Sequence, residues 1–440
     1  MRSKKVVLLI KIAIPIVIIG GCLGIERVLS VKAENFSSKP IIVSEDNSSL
    51  IAEDKPLEIV SKQSYGNVEG FSENLGFISD DEALVGIGIS REDFYKKYPK
   101  EFDKSNENDD KDNYNANNDI YGNIYRLKLS NLEKKPLSIE MRNLYSDFLP
   151  NVNRINYVKD NNYSIYDLKN DSKSVYKKAS DMEGSENVGT WSKDGNYLIS
   201  YDNGDLNLYN VKEKSSKKLK IENDNLHIAI IPSFYSEDGE DIYFIGVQYK
   251  GNGPKYQREG IFKINSSSGK IEEILLLPYS NIQGSDYIRE SSIPFNDYSV
   301  LDYGKKIIIN AIIEGEDGTY IYDVDNKKFY NVVPHLVKAK EGSYCSSIWV
   351  SPDKTKVIYI NMAIENNKEQ WNLYAAKING NSLTSKICIY KNINISGSLN
   401  NAIQWNGDSK KILFFAGNEE IEKNNFSFKD KNEVNIITFK

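Results

Sequence analysis

The sequence predicts an all-β fold: a single β-propeller of about seven four-stranded blades, with six and eight as alternatives, behind an N-terminal transmembrane or signal helix. Three observations predict it. A strand–turn–strand unit recurs along the chain, with Ser192 and Ser236 of two copies standing 44 positions apart. Strand-favouring residues are abundant, with 29 Tyr among 440 residues. A basic and then apolar segment opens the chain and is unlike anything after it.

That opening segment reads as an address. Arg2, Lys4 and Lys5 precede 20 mostly apolar residues, 6–25. At roughly 1.5 Å per residue this run spans the roughly 30 Å hydrocarbon core of a bilayer. The positive end stays cytoplasmic, which places the rest of the chain at the extracytoplasmic face of the cell membrane. Three forms fit: an uncleaved anchor, a lipoprotein cut before Cys22 in Ile19-Gly20-Gly21-Cys22, and a secreted form cleaved after Val31-Lys32-Ala33. Cys22 is therefore the candidate lipidation site. Residues 1–25 are the signal or anchor, 26–56 a polar tether, and 57–440 the propeller, with a loop inserted at 90–118.

The repeat is plainest at Trp191-Ser192-Lys193-Asp194-Gly195, followed by the strand Tyr197-Leu198-Ile199-Ser200-Tyr201. Phe234-Tyr235-Ser236-Glu237-Asp238-Gly239 repeats it, Trp349-Val350-Ser351-Pro352-Asp353-Lys354 is a third copy, and Trp405-Asn406-Gly407-Asp408 a fourth. Phe77-Ile78-Ser79-Asp80-Asp81 is a decayed fifth, and spacing adds hairpins at Pro150-Asn151 and Asp302-Tyr303-Gly304. Hairpins thus fall near 79, 150, 192, 236, 302, 351 and 406, one per blade. The Asp-Gly pair suits a two-residue hairpin, because Gly supplies positive φ and the Ser and Asp side chains can bond the turn backbone. The chain ends just after the strand at 434–439, one strand short of a full blade. Residues 57–60 are the natural donor of that last strand, closing the ring and hiding an edge.

Trp-Ser-x-Asp-Gly-x-x-Leu-Ile-x-Tyr at 191–201, with Leu206-Asn207-Leu208-Tyr209-Asn210-Val211 downstream, resembles the TolB-like (PD40, WD40-like) propeller repeat. The resemblance covers roughly 57–440 and implies the fold. It implies little about function, because related propellers serve as periplasmic scaffolds, sensor ectodomains and gates of peptidases.

Composition excludes several chemistries. There are 56 Lys and Arg against 62 Asp and Glu, a formal charge of −6, which argues against a nucleic-acid partner. Two histidines and three cysteines disfavour structural zinc and His-dependent nucleophiles. No catalytic residue, metal ligand or cofactor is indicated. The Gly-x-Ser-x-Gly elbow of a prolyl oligopeptidase is lacking. In the Asp-boxes of sialidases Gly stands two residues after Asp, whereas Gly195 follows Asp194 directly, as a hairpin turn requires. Residues 103–119 are rich in Asn and Asp but lack calcium-loop spacing, so they read as a solvated loop. His227 and His335 read as ordinary turn or strand-end residues. Cys345 and Cys388 fall on the innermost and outermost strands of one blade, roughly 14 Å apart at about 4.8 Å per strand, and are expected as two buried free thiols.

The expected function is therefore a non-catalytic binding or scaffolding module, membrane-anchored and extracytoplasmic, with a protein or cell-envelope glycan as partner. Tyr256, Arg258 and Arg289, on or near the loops 251–256 and 281–295, are the candidate ligand-binding residues. Two rivals stand beside it. A carbohydrate-active enzyme, glycosidase or lyase, would use carboxylates in the channel, one with a raised pKa. A sensor ectodomain would need a partner chain to carry its signal.

Overall fold

The computed structural model describes residues 41–43 and, from 57 to 440, all residues other than 90–120, 142–145, 160–161, 179–189, 193, 203–204, 222–225, 236–240, 250–255, 282–290, 294–297, 336–345, 366–367, 394, 396–401 and 418–430. The chain divides into Met1–Ile41 and Ile42–Lys440, and the blades belong to the second unit. The expected anchor with Cys22, most of the tether, the 90–118 insertion, Arg289 and Cys345 lie outside the described residues. Among the described residues no helix is long and apolar enough to cross a membrane.

Seven antiparallel sheets form a seven-bladed propeller. Blades one to six occupy 71–141, 146–178, 190–219, 226–276, 298–334 and 346–390, each running from an inner to an outer strand in chain order. Blade seven takes its three inner strands from 403–439 and its outermost from Ile59–Glu69, which pairs antiparallel with Lys431–Phe439. Closure by the N-terminal strand is as expected, and it runs well past the expected residue 60. Lys440 donates its backbone N–H to Glu58 O at 3.0 Å, and its ammonium meets the Glu58 carboxylate at 2.8 Å. Two sheets carry an extra strand. Ser280–Asn281 pairs with the third strand of blade four, and Ile41–Val43 is outermost in blade five.

All seven expected hairpins connect a first strand to a second, the degenerate pair at 150–152 and 302–304 included. Second strands such as Asp241–Tyr249 and Lys306–Ile313 are buried along most of their length, because each is covered by a neighbouring blade on both faces. Seven apolar clusters fill the seven seams. The largest described one joins blades four and five through Ile245, Ile261, Leu275, Ile307, Ile309 and Tyr320 among others. Among the described residues the smallest joins blades two and three through Leu149, Tyr163, Ile165, Trp191, Leu198 and Tyr209.

The outer strands share an irregularity. In blades two, four, five and six the third-to-fourth pairing slips by one residue, leaving Tyr176, Ile274, Val332 and Ile389 as bulges. Ile274, Val332 and Ile389 are buried, so the slip turns an extra apolar side chain inward. A lysine from the next rim satisfies the freed carbonyl in two cases. Lys386 donates to Val332 O at 2.9 Å and Lys62 to Ile389 O at 2.7 Å.

Cys388 corrects the expectation of a buried thiol: it is exposed on the outer strand Ser382–Tyr390. The bulge at Ile389 shifts the inside–outside phase, so Ile389 takes the inward place and Cys388 faces out.

Candidate functional site

Antiparallel connection places the first-to-second and third-to-fourth turns of every blade at one face of the disc. Three of the first-to-second turns share one geometry. Ser192, Ser351 and Asn406 each pair by backbone with the residue five further on, so the loop holds four residues rather than the expected two. In each, a side-chain oxygen accepts the N–H of that fifth residue: Tyr197 to Ser192 Oγ at 2.9 Å, Lys356 to Ser351 Oγ at 2.9 Å, and Lys411 to Asn406 Oδ1 at 2.8 Å. The Asp two residues along accepts the next free N–H: Asn196 to Asp194 at 3.0 Å, Thr355 to Asp353 at 3.1 Å, and Lys410 to Asp408 at 3.0 Å. The positive φ falls on Gly195, Lys354 and Ser409, so blades six and seven pay for a left-handed non-glycine residue with the same bonds.

These bonds set the Asp charge. Burial, the largest influence on Asp353, pushes its carboxyl up, but bonds from the Ser351 hydroxyl and from Thr355, with the Lys356 ammonium at 3.3 Å, bring it down to about 2. Asp194 is lowered in the same way by Ser192 and Asn196 against its burial. The turns also bridge blades. Asp353 N–H donates to Ser409 Oγ at 3.0 Å, Lys354 to Ser299 Oγ at 3.1 Å, and Lys411 to Asp80 at 2.7 Å.

Blade five departs from the pattern, and there a cleft of about 660 Å³ opens against blade six. Its turn Asp302-Tyr303-Gly304-Lys305 is a type I′ turn, with φ of 51° at Tyr303 and 87° at Gly304 and a bond from Lys305 N–H to Asp302 O at 3.0 Å. A Cβ on Gly304 would lie 2.5 Å from the Tyr243 hydroxyl of blade four, so the turn is seated on that blade. The consequence is Tyr303, 82% exposed at the rim of the cleft. Asp302, Lys306 and Lys354 supply charge around it, while Leu301, Pro352 and Ile378 form an apolar floor. A smaller hollow of about 330 Å³ continues on blade six along Thr355, Lys356 and Lys377.

Two of the three sequence candidates, Tyr256 and Arg258, lie on the other face. Tyr256 opens the third strand of blade four, its backbone paired with Asn281; its side chain is outside the described residues. Arg258, half-buried on the same strand, donates Nε and Nη2 to Gln248 Oε1 at 2.8 and 2.6 Å, and its guanidinium lies 4.8 Å over the Tyr279 ring. Gln248 passes the network on to Glu273 at 2.8 Å. These donors and the ring face hold blade four together. Beside them the buried Glu259 accepts the N–H of Ile293 at 2.6 Å, and Ser292 bridges Ile312 of blade five.

One constellation on this face had no sequence signal, its members being scattered from 310 to 335. His335 Nδ1 lies 2.7 Å from Asp317 Oδ1 and Nε2 lies 3.3 Å from Thr319 Oγ1; Thr319 donates to Asn310 Oδ1 at 2.6 Å. The order carboxylate–imidazole–hydroxyl is that of a hydrolytic triad. Thr319 is fully buried, however, so no substrate reaches the hydroxyl, and the group pins the start of the blade-five exit to its own hairpin. His335 is thus a strand-end residue, as expected, with a buried ring.

Seven antiparallel sheets arranged in a ring, with an aromatic-rimmed cleft on the turn face, define a seven-bladed β-propeller. No protein-family model matches the sequence, and no curated protein matches it. Among solved structures the chain is similar to one described as a mitotic checkpoint complex, at 9% identity and TM-score 0.42, over 88% of this chain and 97% of that one. It is also similar to dipeptidyl peptidase 4 of Porphyromonas gingivalis, at 10% identity and TM-score 0.38, over 83% of this chain and 60% of that one.

Proposed function

We propose that the chain is a non-catalytic, TolB-like binding propeller, held at the outer face of a membrane by residues 6–25, whose protein partner seats over the cleft between blades five and six. The observation that carries the binding reading is Tyr303. Its backbone is fixed in a left-handed turn, its ring is exposed, and it stands beside an apolar floor flanked by both signs of charge. Aromatic anchors surrounded by polar groups are the commonest energetic centres of protein interfaces. The anchoring rests on the basic start and the 20-residue apolar run of the sequence. The TolB-like reading rests on the turn shared by Ser192 and Ser351.

The carbohydrate-active rival needs a carboxyl with a raised pKa. Among the described residues the carboxylates with shifted pKa values, Asp167, Asp194, Asp323 and Asp353, are all lowered, and each accepts bonds inside a turn. Such groups serve as acceptors and not as acids.

The test is capture by the tagged full chain from detergent-solubilised membranes, beside a Tyr303→Asn variant. Asn keeps the left-handed turn and removes the ring. A stoichiometric protein retained by the parent and lost at least tenfold by the variant supports the reading. Equal retention by both removes the cleft from it, and retention of cell-wall glycan alone favours the carbohydrate reading.

A further inference from the structure

The rims of the blades differ in charge, and the difference is local. In blade two the outer turn and strand, 168–178, hold Lys169, Lys173, Lys177 and Lys178 against Asp171 alone. In blade three the corresponding segment, 211–220, holds Lys212, Lys214, Lys217, Lys218 and Lys220 against Glu213 alone. The other five rims are close to neutral. Segments 129–141 and 323–334 each balance two lysines with two acids, 265–277 and 58–69 each hold one lysine against two acids, and 379–391 holds two lysines. Nine lysines therefore gather on two adjacent blades of a chain whose formal charge is −6. The seven of these whose side chains are described are all exposed.

Lysines on an unpaired strand edge also discourage other strands from adding. That need is the same at every rim, so it does not explain a concentration on two. One of them also ties the blades together: the Lys217 ammonium meets the Ser266 and Ser267 carbonyls of blade four at 3.0 and 2.5 Å. The cations are all Lys, point charges on flexible stems, and not the planar forks that would read one carboxylate or phosphate bidentately. They lie along two outer strands on a convex edge. Cations two residues apart in extended chain stand roughly 7 Å apart, so a flexible chain of phosphates can meet one after another. The hydroxyls of exposed Ser172 and Ser174 stand among them.

We infer that the joint rim of blades two and three is a docking surface for a flexible linear polyanion of the polyphosphate type. A flexible chain follows the convex edge across both blades, whereas a flat bilayer would meet one blade at a time. The surface is separate from the Tyr303 cleft, and neither depends on the other.

The experiment measures binding of fluorescent long-chain inorganic polyphosphate to the full-length protein in neutral detergent micelles, between 50 and 200 mM salt. A first variant changes Lys169, Lys173, Lys212 and Lys220 to Gln. A second removes four exposed lysines elsewhere, Lys134, Lys135, Lys270 and Lys391. Polyphosphate is expected to bind the parent, with affinity falling as salt rises. The first variant should lose more than tenfold at 50 mM salt, and its salt slope should shrink by roughly 0.7 per lysine removed. The second should lose less than threefold. Circular dichroism melts confirm that both variants are folded. No polyphosphate binding by the parent, equal losses in the two variants, or binding to vesicles containing phosphatidylglycerol but not to polyphosphate would each overturn the inference. A failed partner capture with Tyr303→Asn would leave it untouched.

Discussion

A single oxygen at the start of each repeat hairpin carries much of the local order. Ser351 is fully buried and makes two bonds through one hydroxyl, donating to Asp353 at 2.6 Å and accepting from Lys356 N–H. Ser351→Ala should cost about 1–2 kcal/mol in urea unfolding, because a buried N–H is orphaned as well as a bond lost. Asn406→Ser, which rebuilds in blade seven the turn already used in blades three and six, should cost under about 0.5 kcal/mol. A loss of 1 kcal/mol or more there would mean that the three turns are not interchangeable. Acid should act through the same turns. Asp353, at about 2, and Asp194, Asp323 and Asp167, all lowered, contribute stability that is complete above the ordinary carboxyl value of about 4. That stability is lost as pH falls through their folded-state values. Stability should therefore hold between pH 7 and about 5 and decline below about 4, and Asp353→Asn should flatten the decline. An unchanged slope in the variant would remove Asp353 from the account.

At the scale of a strand, the outer-edge bulges are held by lysines that cross between blades. Replacing Lys386 by Met keeps the aliphatic stem but leaves Val332 O without its donor, at an expected cost of about 1 kcal/mol. Lys391→Met, on an exposed lysine one turn further along, should cost nothing measurable, and equal costs would argue against the cap. Element scale is also where the sequence was most readable. The hairpins could be located because Ser-x-Asp turns and flanking apolar runs are local signals, and even Asp302-Tyr303-Gly304 kept its place by spacing. What that segment does was not legible. Its type I′ shape and the exposure of Tyr303 follow from the seat of Gly304 on Tyr243, a contact between blades that neighbouring letters do not encode. The side on which Cys388 lies failed for a related reason, since alternation assumes an unbroken register and one extra residue reverses it. Arg258 stood out by its place beside the 251–256 loop, which says nothing of the Gln248 amide beside it.

The whole ring is as strong as its thinnest seam. Blades two and three meet through the smallest described apolar cluster, and both carry the rim lysines, whose mutual repulsion acts across that seam. Native-state hydrogen exchange should show the strands Asn162–Asp167 and Tyr197–Asp202 opening at lower free energy than Lys306–Ile313 and Lys356–Glu365. Raising the salt concentration should narrow the gap by screening the lysines. Uniform protection around the ring would show that the seams are energetically equivalent despite their different cores.

Closure by Ile59–Glu69 has a consequence in time as well as in space. A ribosome delivers this strand well before its partner Lys431–Phe439, so six blades and most of a seventh must wait with an open gap. Until then the growing chain carries two raw sheet edges, and a product truncated before residue 431 carries them for good. Arrival of the partner strand is thus built into the architecture as a condition of its integrity: a chain that includes it latches, and one that lacks it stays recognisable to proteases and chaperones by the edges it could not hide.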